Sequence, residues 1–135
     1  MIVYIASPYS NYANKLDAVS AQVDTFAILR DLGYQPIAPL LSHYVDVRHP
    51  ASYDRWLEWC MAMIGVCDVV LRLPGASVGA DREVAKAKAL GKPVVHSVDE
   101  LLALGTITRA DHHAANAQAL DDIAAFVDGE LEIHY

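Results

Sequence analysis

The chain has 135 residues, with 10 Lys and Arg against 17 Asp and Glu, a formal net charge of −7 and 54% hydrophobic residues. At ~100–200 residues per domain this predicts one domain spanning 1–135, with enough chain to bury a core unaided, and it excludes a two-domain enzyme. Scattered basic residues give no footprint for a nucleic-acid polymer, no apolar run nears the ~20 residues that cross a bilayer, and no basic segment precedes the first strand-like stretch, so the expectation is a soluble cytoplasmic protein without a polymer or membrane partner.

Ile2-Val3-Tyr4-Ile5-Ala6 is a β-rich run that stops at Ser7-Pro8, where proline removes a ladder donor, and it predicts a buried first strand. From Ala13 to Leu32 the apolar residues Leu16, Val19, Val23, Phe26, Ala27 and Leu29 recur at helical spacing, with Gly33 as the stop. Tyr34 to Ala38 reads as a second strand ended by Pro39, and the stretch from there through Ser52 as a loop over the strand ends carrying His43, Asp46 and His49. Tyr53 to Ile64 reads as a helix, and Cys67 to Leu73, apolar except for Asp68 and Arg72, as a central parallel strand. Cys60 and Cys67 fit buried thiols in a reducing compartment better than a disulfide or a zinc site.

Pro74-Gly75 opens a short loop before an alanine-rich helix, Val78 to Leu90, closed by Gly91, and Pro93 to His96 is the next strand. Ser97 and Glu100 have capping-box spacing, predicting a short helix. Residues 105–113 read as polar and irregular, with His112-His113 as solvated loop, and a last helix runs from Ala114 to Asp128. The alternation of strands and helices predicts an open, mainly parallel α/β sheet flanked by helices, of Rossmann or flavodoxin type, with strand order near 2-1-3-4.

In such sheets ligands bind where the carboxyl ends of the strands meet loops and helix N-termini. Gly75-Ala76-Ser77-Val78-Gly79 brings small residues to a helix start, where free amides favour an anion such as phosphate or carboxylate. The glycines lack dinucleotide and P-loop spacing, which argues against a nicotinamide dehydrogenase or a P-loop NTPase. Neither His43 nor His49 has ligand spacing, so no metal or cofactor is expected, and His43 reads as a base-contacting or surface residue. Trp56 and Trp59 read as a core or subunit face.

Three segments in sequence, Tyr4-Ile5-Ala6-Ser7-Pro8, Cys67-Asp68-Val69-Val70-Leu71, and Ser77 to Ala87 followed by Gly91-Lys92-Pro93-Val94, resemble the nucleoside 2-deoxyribosyltransferase superfamily over about residues 1–97. The match is nearest to an uncharacterised bacterial and phage branch. Characterised members cleave or exchange the N-glycosidic bond of nucleosides or of nucleoside 5′-monophosphates. The resemblance implies Glu83 as the nucleophile, forming a glycosyl ester, and Tyr4 as the residue that orients it. Ser77 stands where the nucleotide hydrolases have a phosphate-contacting serine and the transferases an aspartate, which favours hydrolysis. Ser7 and the amides of Val78 and Gly79 complete the expected binding set. Cys60 occupies the position where the family commonly has an aspartate that assists proton transfer. Asp54, ahead of Glu58, is therefore the expected proton donor. The family also builds its sites across a subunit interface, implying a homodimer or homotetramer acting on a small nucleoside or nucleotide. Two other readings stay open: a non-catalytic nucleotide-binding module, consistent with Cys60, and a structural partner using the Trp56 and Trp59 face.

Overall fold

The computed structural model describes residues 1–105, and the compact unit treated below is Met1–Ala103. The expected final helix, and residues 106–113 of the expected polar segment, lie outside the described residues.

The opening β-rich run forms β1 (Ile2–Ala6), and Val3, Tyr4, Ile5 and Ala6 are all inaccessible to solvent. A strand apolar on both faces suits the interior of a parallel sheet. It pairs in parallel with β2 (Gln35–Ile37) on one side and with β3 (Val69–Arg72) on the other, and β3 pairs in parallel with β4 (Val94–Val95). The order β2-β1-β3-β4 is the one expected, and the fold is α/β, a parallel sheet flanked by helices. The chain adds strands first to one side of β1 and then to the other. The switch point therefore falls between the carboxyl ends of β1 and β3.

Tyr4, Ala6 and Val70 join Ile64, Cys67, Ala80 and Ala87 in the core beneath α3 (Tyr53–Val66) and α4 (Val78–Ala89). On the alternate face, α1 (Lys15–Asp31) packs on β1 and β2. Its buried line is Ala18, Val19, Gln22 and Leu29, whereas Leu16 and Val23, expected in the apolar stripe, are exposed. A polar residue displaces them because Gln22 donates to the Ile5 carbonyl and the Ser7 hydroxyl, and its own carbonyl accepts from Leu40 N–H.

Both glycine stops are realised. Tyr34 N–H bonds the Leu29 carbonyl past Gly33, and Lys92 N–H bonds the Ala87 carbonyl past Gly91, two left-handed helix ends of one design. Lys92 then donates to the carbonyls of Gly65 and Cys67 at the end of α3. Strand β3 begins two residues later than expected, because Cys67 caps α3 and Asp68 accepts from Ile2 N–H. The short helix α5 (Val98–Ala103) carries the Ser97 cap on Glu100 N–H, with the Glu100 carboxylate reaching back to His96 N–H.

One stretch departs from expectation. The loop expected after Pro39 is a 3₁₀ turn (Pro39–Leu41) running into α2 (Ser42–Arg48). No side chain caps it, and none of its residues is buried, so neither a boundary residue nor an apolar period marks it in the sequence. Among the described residues no helix is long and apolar enough to cross a membrane.

Candidate active site

A cavity of about 530 Å³ opens at the carboxyl edge of the sheet, walled by the β1–α1 loop, the β2–α2 segment, α3 and the start of α4. Seven of the eight residues singled out from the sequence meet at or behind this space. Ser7, His43, Ser77, Val78, Gly79 and Glu83 line it, and Tyr4 lies fully buried behind Glu83. Asp54 does not line it. Helix α3 turns Tyr53, Trp56, Leu57 and Cys60 to the cavity, and Asp54, about 100° around the helix from Tyr53, is exposed. Glu58 is exposed for the same reason.

The floor is a polar group of three. Glu83 is only 9% exposed, its Oε2 has no hydrogen-bond partner, and the Tyr4 hydroxyl is likewise buried without one. The hydroxyl faces the carboxyl and the Cys60 thiol without closing a hydrogen bond to either. Burial pushes the Glu83 carboxyl up to about 7, against the opposing pull of the Tyr4 hydroxyl and the Arg72 guanidinium. The helix start is too distant to hold it ionised: Glu83 is the sixth residue of α4, beyond the first turn where free amides and the dipole act. Burial also raises the Cys60 thiol, to about 11, and the Tyr4 phenol well above the usual range.

Two loops are locked together above this floor. Gly75 has φ +116°, and a Cβ there would stand 2.8 Å from Pro8 Cγ, so conformation and contact both demand glycine. Asn11 Nδ2 donates to the Ala76 carbonyl, and buried Arg72 donates to the carbonyls of Leu73 and Gly75 and to Asp81. Ser77 caps α4 by accepting from Ala80 N–H at 3.1 Å, which leaves its hydroxyl proton and the first-turn amides of Val78 and Gly79 for an anion.

The far wall sets His43 and Asp46, both marked in the sequence, beside Tyr9, Trp56 and Arg82, to which sequence reasoning gave no site role. Tyr9 Oη meets His43 Nδ1 at 2.6 Å, and Lys15 holds that loop through the carbonyls of Tyr9, Ser10 and Tyr12. Asp46 accepts from Trp56 Nε1 at 2.6 Å and from Ala51 N–H, which lower its carboxyl below the usual range. Trp56, assigned from spacing to a core or subunit face, lines the cavity, and Trp59 beside it is exposed. Arg82 also lines the cavity, its guanidinium beside the Tyr53 ring. The spacing of Tyr53, Trp56 and Cys60 is the one signal in the sequence that marks the α3 wall. Among the described residues no three His, Cys, Asp or Glu side chains are grouped to hold a metal ion.

Comparison with solved structures finds similarity to a CMP N-glycosidase of Clostridium botulinum, at 21% identity and a TM-score of 0.46, over 70% of this chain and 66% of that one, just under two thirds of its length. No curated protein matches the sequence. The model of a domain of unknown function, DUF1937, matches residues 1–99, and the chain therefore belongs to the DUF1937 family.

Proposed function

We propose that the protein cleaves the N-glycosidic bond of a nucleoside or nucleoside 5′-monophosphate, with Glu83 as nucleophile and water as the favoured acceptor. The observation that carries this reading is a buried carboxyl on the cavity wall with one oxygen unpartnered, faced by an equally unpartnered tyrosine hydroxyl. Such a pair is costly unless a ligand completes it. In its ionised form Glu83 attacks the anomeric carbon as the bond to the base breaks, and the charge stabilises the oxocarbenium-like transition state. The Tyr4 hydroxyl donates to the other carboxylate oxygen and fixes its aim. Water then hydrolyses the glycosyl ester.

The cavity volume suits a small ligand, and its walls divide by chemistry. Ser77 and the amides of Val78 and Gly79 receive a 5′-phosphate, with Arg82 adding positive charge. Tyr9, Tyr53 and Trp56 offer aromatic surface to a base.

The test is a panel of ribo- and deoxyribonucleosides and their 5′-monophosphates, with free base quantified for the wild type and for Glu83→Gln. Base released by the wild type and not by the variant supports the reading. Thermal stabilisation by nucleotides with no base released assigns a binding module instead, and neither effect leaves a structural role.

A further inference from the structure

We propose that His43 is the acid that protonates the departing base, held for that task by Tyr9 and Asp46. The inference rests on the N-glycosidase reading and supplies a step it lacks, because a nucleobase leaves poorly as an anion.

The groups nearest Glu83 do not fill this role. Burial holds the protons of Cys60 and Tyr4 tightly, and Asp54 and Glu58 stand outside the cavity. Asp46 lines the cavity but is kept ionised by Trp56 Nε1 and Ala51 N–H, so it has no proton to give. Phenols and guanidinium groups are too weakly acidic. His43 is the one imidazole among the described lining residues.

Its surroundings fit a group that gains and loses a proton. The Tyr9 hydroxyl, 2.6 Å from Nδ1, accepts from the imidazolium and donates to the neutral ring, so one bond serves both states and Nε2 is left to exchange the proton. Asp46, three residues along α2, interacts with the His43 ring through its carboxylate. Each partner is anchored from another element, Tyr9 through Lys15 and Asp46 through Trp56. The Tyr9 and Tyr44 rings meet the imidazole edge-on, at 5.9 and 5.5 Å.

The step balances without a further reagent. Glu83 forms a bond to the anomeric carbon, the electron pair of the C–N bond passes to the base, and the Nε2 proton moves to the base, leaving neutral His43. Water then attacks the anomeric carbon of the ester and gives its proton to His43. Glu83 departs as carboxylate and the imidazolium is restored.

The experiment compares two leaving groups in wild type, His43→Gln and Tyr9→Phe: the panel nucleoside or nucleotide that the wild type cleaves best, and the 4-nitrophenyl glycoside of the same sugar, whose phenolate departs unprotonated. For His43→Gln, the expected result is a fall in kcat/KM, which reports the steps through departure of the leaving group and not the shared hydrolysis of the ester, of at least about a hundredfold on the natural substrate and of less than about tenfold on the nitrophenyl glycoside. Tyr9→Phe, which keeps the imidazole, shows a smaller loss with the same dependence on leaving group. Equal losses of kcat/KM on both substrates, or an unchanged kcat with only KM raised, would overturn the inference while leaving the glycosidase reading intact. Absence of base release by the wild type overturns that reading and the inference with it.

Discussion

At the scale of single residues, the chemistry turns on one carboxyl whose ionised form is costly where it stands. Glu83 titrates near 7 because water is kept from it, so the nucleophilic form grows as pH rises. We expect kcat/KM for base release to climb about tenfold per pH unit below 7 and to fall again on the alkaline side, where the acid that serves the departing base has lost its proton, and Glu83→Gln to lose at least about a thousandfold at the optimum. A profile already flat from pH 5 would contradict the burial argument. The same residue ties stability to pH. Its folded value of about 7 exceeds the ordinary 4.5, so the folded chain holds the proton more tightly than the unfolded one. That contribution is complete below about pH 4.5 and lost as pH rises through 7, for a total on the order of 3 kcal/mol. Urea midpoints at pH 5 and pH 8 check it: the wild type loses more stability between them than Glu83→Gln does, and equal losses would place an ordinary carboxyl in the fold.

Among the elements, the β1–α1 and β3–α4 loops hold each other in place and so hold the two sides of the cavity. Gly75→Ala is expected to cost about 1–3 kcal/mol, because the left-handed backbone is strained and the new methyl meets the stiff Pro8 ring. Gly79→Ala is a contrasting control. Its Cβ would come no nearer than 3.5 Å, to the Tyr53 hydroxyl, in ordinary contact at a helical position, so the stability change stays within about 0.5 kcal/mol. Denaturant unfolding of the two variants side by side tests the difference. The cap is a further element-scale device. Ser77→Ala removes the bond to Ala80 N–H and costs about 1 kcal/mol, while a phosphate role adds a raised KM for monophosphates that nucleosides do not show.

For the molecule as a whole, α2 leaves Tyr44, Val45 and Val47 exposed, as α3 leaves Trp59, and we expect a second copy of the chain to bury apolar surface of this kind. Light scattering at high micromolar concentration then gives at least twice the protomer mass, and a monodisperse monomer counts against it. By itself the sequence determined the strands, the three longer helices α1, α3 and α4 and the short α5, the order 2-1-3-4, and the arrival of Tyr4, Ser7, Ser77 and Glu83 at one edge. These depend on local period, on proline and glycine punctuation, and on parallel strands that end on the same side. Tertiary structure alone decided that Gln22 replaces Leu16 and Val23 in the buried line of α1, that α2 forms without a cap, that Trp56 faces the cavity, and that Asp54 faces away from it. It also brought together Tyr9 and His43, 34 residues apart, and Trp56 with Asp46. Period records which positions prefer a dry face, but a polar partner is chosen by the crossovers that carry distant segments to the same strand ends, and a wall residue looks like a core residue until the space it borders exists.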